Sequence, residues 1–441
     1  MAGTQALPGS TSTPRAQGRG LAFSAAYLGW VLDGYETYAL VLIGSQLIAE
    51  LIGPGASPLY FSGLLAAQLV AWAIGGLLAG VLTDYFGRKR VLMYSVLVYG
   101  LFTGLSALAT DYWVFLGLRI ITGLGMGAEW GPGSALVSEI WPNRSRGKGI
   151  ALLQSGFGVG FLLATGTFWL LSGTGDDQWR WMLVVGALPA LLALFIRRYV
   201  KESDQWERTD RRRRRARQRA SAGEQLDAAD TSLTRFTVAS IVTDRTLRRR
   251  TAGLLVMSAA SLVGWWAVST WIPRFVGEAT AAEGAAESAI TWIVLGYNFA
   301  GVLGWLAFGA LADRIGRRWT IWGYYVFALA AVWLLFAVPY GTIGMLAAFV
   351  FVNGFFTLGQ MGWMATYPME LFPTHVRGTA ITIVFNSTRF LAAAGALLSG
   401  YLVGAFGGIQ VAALTIGSIY LLGVVVTFLV GPETKGISLP D

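Results

Sequence analysis

Twelve long, mostly apolar stretches separated by short polar loops leave this chain few ways to fold. They run at approximately 22–49, 59–82, 91–110, 112–141, 148–172, 180–200, 252–276, 288–311, 319–338, 341–370, 376–405 and 408–431. A bilayer core of about 30 Å is crossed by roughly 20 residues of helix, so each stretch reads as a transmembrane helix. Only 13% of residues are charged, against about 25% in a soluble globular protein. The 57 glycines and 18 tryptophans suit helices that pack closely in lipid and indoles that lie at headgroup level. The absence of cysteine excludes disulfides, thiolate metal sites and thiol nucleophiles.

Every Lys and Arg falls on one alternate set of loops except Arg119, Arg180, Arg274 and Arg389. That set is assigned to the cytoplasm by the positive-inside rule, with both termini inside and a multi-pass location in the cell membrane. Arg180 and Arg274 lie at outer helix ends, which leaves Arg119 and Arg389 within the membrane. The net charge of +9 is thereby explained without a nucleic-acid partner. Residues 1–21 read as a disordered cytoplasmic tail, since the apolar stretch that follows is too long for a cleaved signal and contains Asp33 and Glu36. The expected domains are 22–200, a six-helix half; 201–250, a basic cytoplasmic linker with the run Arg211 to Arg215, read as a solvated loop with a nucleic-acid or anionic-lipid patch as the alternative; 251–431, a second six-helix half; and 432–441, a cytoplasmic tail, with membrane lipids around the spans.

The halves repeat one another. Gly80-x-x-x-Asp84-x-x-Gly87-Arg88-Lys89-Arg90 follows the second span, and Gly309-x-x-x-Asp313-x-x-Gly316-Arg317-Arg318 follows the eighth. Glu139-x-x-Pro142-x-x-x-Arg146-Gly147 returns as Glu370-x-x-Pro373-x-x-x-Arg377-Gly378. Two motifs at nearly one spacing, at matching helix ends, indicate repeated halves that enclose a site near the midplane. The paired glycine-aspartate-arginine loops resemble the signature of the major facilitator superfamily over about residues 22–436. Asp33-Gly34-Tyr35-Glu36 resembles an element of the aromatic-acid and the sialate or lactate proton symporters. Gly127-Ala128-Glu129-Trp130-Gly131 and Glu139-Ile140-Trp141-Pro142 resemble the same groups and the metabolite:proton symporters. The tail Gly431-Pro432-Glu433-Thr434-Lys435-Gly436 resembles that of sugar porters, but the seventh span lacks the Gln-Gln pair and Asn that bind hexose there. The fifth span lacks the Gly-Pro element of drug:proton antiporters. The fold expected is an all-α membrane protein, twelve transmembrane helices in two six-helix repeats.

Gly80 and Gly309 allow a neighbouring helix to approach, and Asp84 and Asp313 are placed to accept bonds from a helix N-terminus or an arginine. With Arg88, Glu139, Arg146, Arg317, Glu370 and Arg377 they form a candidate cytoplasmic gate; the bland alternative is that these charges only set topology. His375, in the same loop, reads as solvated surface.

Within the spans, acidic residues occur only in the first half: Asp33, Glu36 and Glu129. Buried charges are costly unless they face water or a partner. With Arg119 these carboxylates are the proton-coupling candidates, and Asp33 is expected to pair with Arg119. Arg389 has no acidic partner in its own half and is the candidate clamp for a substrate carboxylate, with Asn386 one turn earlier. The competing reading pairs it with Asp33, Glu36 or Glu129. Polar and aromatic residues at similar depth complete a candidate substrate pocket: Trp265, Trp266, Ser269, Asn298, Asn353, Gln360 and Trp363. No catalytic constellation, metal cluster or phosphate loop accompanies them, so neither an enzyme nor a cofactor is expected beyond the proton as coupling ion. The expected function is proton-coupled uptake of a small organic anion, a monocarboxylate or aromatic acid, by a monomer. A sugar or polyol porter and a non-transporting nutrient sensor are the alternatives.

Overall fold

The computed structural model describes residues 16–282, 284 and 288–440, all of them helix, turn or loop. The first five spans are Ala16–Leu51, Leu59–Phe86, Arg88–Ser106, Tyr112–Ile140 and Arg146–Leu170. The sixth is broken into Gln178–Val185 and Pro189–Tyr199, the second piece opening on a proline, which lacks the N–H that would be orphaned there. The second half comprises Arg245–Ala282, Ser288–Ile315, Arg317–Ala337, a tenth span in two pieces (Ile343–Gly359 and Gly362–Leu371), an eleventh (Arg377–Asn386 and Arg389–Ala405) and a twelfth (Ile409–Gly417 and Tyr420–Val430).

Among the described residues, eight of these helices are long and apolar enough to cross a membrane by hydropathy. The first, third, fourth and eleventh are not among them. They are the spans that carry Asp33 and Glu36, the Arg88-Lys89-Arg90 start, Arg119 and Glu129, and Arg389.

Two expectations are corrected. Helix already begins at Ala16, so the end of the supposed tail continues the first span; residues 1–15 lie outside the described residues. The linker is not a solvated loop. It folds into helices Asp204–Ser221, Ala228–Thr234 and Thr237–Thr243, and Trp206 and Arg213 are buried against the transmembrane bundle.

The halves meet where the second span packs on the eleventh and the fifth on the eighth. These are equivalent pairs under the repeat. The glycines of the repeated motif make the approach possible: a Cβ on Gly80 would lie 2.9 Å from the Gly378 carbonyl oxygen, and one on Gly309 would lie 2.6 Å from that of Gly147.

Candidate functional site

Two polar constellations lie on the interface between halves. One is at the basic end of the bundle and the other near its middle.

At the basic end, Asp84 accepts bonds from the other half: Oδ1 from the Gly378 N–H at 3.0 Å, Oδ2 from the Thr379 N–H and Oγ1, both at 2.8 Å. Asp313 does the same in reverse, accepting from the N–H groups of Gly147 at 3.0 Å and Lys148 at 2.9 Å. Each carboxylate thus caps the N-terminus of a span in the opposite half, where the exposed N–H groups concentrate positive potential. Around them, Glu139 takes Arg88 at 3.1 Å and, across the interface, Arg377 at 2.8 Å. Glu370 takes Arg317 at 2.9 Å and, across the interface, Arg146 at 3.3 Å. The four arginines and Glu370 are buried, and the side chain of Glu139 is 1% exposed. The motif residues therefore come together as the sequence spacing suggests.

Residues outside those motifs complete the network. Glu202 accepts from the N–H groups of Arg88 at 2.9 Å and Lys89 at 3.1 Å, and Glu433 accepts from those of Arg317 at 2.8 Å and Arg318 at 3.1 Å. The hydroxyl beside each, Ser203 or Thr434, donates to Glu139 or Glu370. The signal was present in the sequence: Glu202-Ser203 and Glu433-Thr434 have the same spacing as Glu139 and Glu370. From the linker, Arg213 donates to the carbonyls of Asp84 at 2.6 Å and His375 at 3.0 Å, tying the halves. His375 is not solvated surface. Burial, followed by the charges of Arg213, Arg377 and Arg212, pushes its pKa down to about 4.

Near the middle, the expected Asp33–Arg119 pair does not form. Arg119 pairs with Glu36 instead, and its guanidinium also donates to Ser106 Oγ at 2.9 Å from Nη2. The correction follows from depth. Glu36 is one turn farther along the first span, about 4.5 Å at 1.5 Å per residue, and this brings it level with Arg119. Three residues of helix also turn Asp33 by about 60° away from that direction. Asp33 is fully buried, with both carboxylate oxygens unpartnered among the described residues. Glu129 is buried beside Asp33, against Gly29, where a side chain would collide with its carboxylate.

Arg389 opens the second piece of the eleventh span. Between Asn386 and Arg389 the helix tightens, the Leu391 N–H bonding to the Thr388 carbonyl at 3.1 Å; short 3₁₀ turns inside a helix often mark functional positions. Asn386 Oδ1 accepts from Arg389 Nε at 3.2 Å. The guanidinium carbon lies 3.7 Å from the Trp72 ring centroid and 4.7 Å from that of Phe385. A narrow cavity opens in front of it, lined from both halves by Trp30, Thr37, Trp72, Gln154, Phe157, Trp265, Trp266, Trp305, Met361 and Phe385. The indole N–H groups of Trp30, Trp72, Trp265 and Trp305 have no acceptor among the described residues.

The candidate pocket residues divide. Arg389, Trp265 and Trp266 line the cavity, and Asn386 holds Arg389. Asn298, Asn353, Gln360 and Trp363 do not line it. Asn298 bonds to the Val294 carbonyl of its own helix, Asn353 Oδ1 accepts from Thr357 at 3.3 Å, and Gln360 and Trp363 both bond to Ser261 inside the second half. Ser269 bonds back to the Trp266 carbonyl at 3.4 Å. Depth along a helix is readable from sequence; the face that a polar residue presents in an all-apolar helix is not. Trp30, Trp72, Gln154, Phe157 and Trp305 were missed for the same reason.

Known proteins share this architecture. The pattern of the family described as "Sugar (and other) transporter" matches residues 23–441. A putative metabolite transport protein of Haemophilus influenzae is 31% identical over 417 residues, 93% of this chain and 96% of that protein. A probable 4-methylmuconolactone transporter of Cupriavidus pinatubonensis is 31% identical over 95% of this chain and 92% of its own length. The 4-hydroxybenzoate transporter PcaK of Pseudomonas putida is 28% identical over 90% of each. Among solved structures, the proton:xylose symporter XylE superposes with a TM-score of 0.73 at 19% identity, covering 96% of this chain and 98% of that one. The chain belongs to the sugar (and other) transporter family of the major facilitator superfamily, and is a multi-pass membrane transporter rather than an enzyme.

Proposed function

We propose that this transporter imports a small organic acid anion, an aromatic or unsaturated carboxylate, together with a proton, as a monomer with its basic end in the cytoplasm. The observation that carries the reading is Arg389, held by Asn386 and Trp72 at the wall of an aromatic cavity and lacking a contacting carboxylate among the described residues. A substrate carboxylate matches the guanidinium fork, and an aromatic or conjugated body matches the tryptophan walls. Two of the relatives described above, a probable 4-methylmuconolactone transporter and a 4-hydroxybenzoate transporter, support that class.

Coupling follows from charge balance. In the unloaded state Arg389, at the cavity wall, serves as the longer-range counter-charge of the buried and unpartnered Asp33. A substrate anion that engages Arg389 removes that compensation, and a buried carboxylate without a counter-ion is expensive. Proton uptake at Asp33 restores neutrality, so anion and proton load together. Glu129, adjacent to Asp33, is the relay for that proton, whereas Glu36 and Arg119 form a fixed pair. The network at the basic end is the gate on the cytoplasmic side, which breaks when the site opens inward.

A sugar or polyol is the second reading, favoured by the four unpartnered indole donors, which suit hydroxyl oxygens as well. Uptake of labelled aromatic acids, muconates, monocarboxylates and hexoses into proteoliposomes, with and without an inward proton gradient, decides between them. Gradient-driven accumulation of an acid is the expected result. Accumulation of a neutral hexose alone would overturn the anion reading.

A further inference from the structure

A second concavity lies on the outside of the bundle, away from the transport cavity and sharing no lining residue with it. It is a groove of about 440 Å³ between the second, third and fourth spans. Its floor is made by small residues, Gly75, Ala79, Gly125 and Ala128, and its rim by exposed Leu78, Leu82 and Phe86. The small floor is required by packing: a Cβ on Gly125 would lie 2.7 Å from the Tyr99 backbone nitrogen. From Gly75 to Phe86 is eleven residues, roughly 16 Å, about half of a 30 Å core and so the depth of one leaflet.

At its basic end the groove is continuous with a polar pocket of about 390 Å³, Arg90 and Tyr94 lining both. The pocket adds Lys89 and Arg197, neither of which, like Arg90, has a carboxylate within ion-pair distance among the described residues. The two acids present there are engaged elsewhere. Glu202 accepts from the N–H groups of Arg88 and Lys89, and Glu207 is paired with Arg211 at 2.9 Å. Three cations and one carboxylate that no ion pair neutralises, Glu202, therefore stand at headgroup level over a one-leaflet apolar channel, leaving the pocket with an excess of positive charge.

We propose that this is a binding site for an anionic phospholipid, with one acyl chain in the groove and the phosphate on Arg90 and Arg197. The charge complementarity selects an anionic headgroup over a zwitterionic one, since clustered cations beside a transmembrane helix attract acidic lipid by about 1 kcal/mol each. The groove selects a lipid over a free anion.

Native mass spectrometry of the detergent-solubilised full chain, titrated with phosphatidylglycerol or phosphatidylcholine of matched acyl chains, tests the assignment. One phosphatidylglycerol is expected to be retained in preference to phosphatidylcholine by on the order of tenfold or more. The double variant Arg90→Gln, Arg197→Gln should lose that preference, and Arg90→Lys, Arg197→Lys should keep it, which separates charge from misfolding. Ala128→Trp, filling the floor, should remove one retained lipid of either kind. Inorganic phosphate alone should not bind. Equal retention of the two lipids by the wild type, a preference surviving in the glutamine variant, unchanged lipid number in Ala128→Trp, or saturable binding of free phosphate would each overturn the proposal.

Discussion

Arg389 concentrates the chemistry of the cavity, because its guanidinium can serve either Asp33 or an incoming anion but not both fully. Lysine keeps the charge and loses the fork, the hydrogen bond to Asn386 and the stacking on Trp72. Arg389→Lys is expected to weaken binding of the identified acid about ten- to hundredfold, from the net loss of one charge-assisted bond worth roughly 1.5–3 kcal/mol; calorimetry on the folded variant measures it. Asp33→Asn removes the titrating partner. That variant should lose proton-driven accumulation while still exchanging bound substrate across the membrane, and unimpaired uphill uptake would refute the coupling role. His375 provides a pH readout at the gate. Its closed-state pKa of about 4 lies below the ordinary 6.5, so the open or unfolded form binds the proton more readily. Stability of the closed form is therefore complete above pH 6.5 and falls as pH drops toward 4, and His375→Gln should flatten that slope in accessibility labelling of a Thr37→Cys variant of this cysteine-free chain. Asp33, Arg119 and Arg389 were legible in the sequence because a charge inside an apolar helix stands out. Trp30, Trp72 and Trp305 were not, because indoles are ordinary in such helices and nothing in spacing says which face the cavity.

Between helices, the repeated elements are built on the same device. Gly87 and Gly316 end the second and eighth spans at φ of 100° and 103°, a region that favours glycine. Their missing side chains also admit a carboxylate: a Cβ on Gly316 would lie 2.6 Å from Glu433 Oε2, and Glu202 occupies the equivalent place at Gly87. An anion at a helix N-terminus contributes about 0.3–1 kcal/mol and more when partly buried. Glu433→Gln and Glu202→Gln should therefore each lower the thermal midpoint of the solubilised protein by about 2 °C, and the double variant by the sum, since the two sites belong to different halves. A midpoint unchanged in both would remove the capping role. Span positions were readable from hydropathy, whereas the linker's fold was not. Its arginines look solvated in sequence, but Arg213 and Trp206 turn inward onto Asp84 while Arg211 and Arg214 remain outside on acids one turn away.

At the scale of the molecule, alternating access requires that the contacts closing one end be strong enough to form and weak enough to break. The two latches of the basic end are related by the repeat but are not equal. Asp84 accepts three bonds from the other half, one of them from the Thr379 hydroxyl, and its backbone carbonyl receives Trp206 and Arg213. Asp313 accepts two, because Lys148 occupies the place of Thr379 and offers no hydroxyl. An asparagine at either position leaves one acceptor oxygen and turns a donating amide toward N–H groups. Losing a charge-assisted bond at a helix N-terminus costs about 1–3 kcal/mol, a roughly 5- to 150-fold shift toward the state open at the basic end. Asp84→Asn is thus expected to shift the balance more than Asp313→Asn, and neither should change substrate affinity for the cavity by more than the redistribution of states requires. Rates of Thr37→Cys labelling by a membrane-impermeant maleimide, applied from each side of oriented vesicles, report the balance directly. Equal shifts in the two variants would mean that the Thr379 hydroxyl contributes nothing to closure, and wild-type accessibility in both would mean that the carboxylates are not latches.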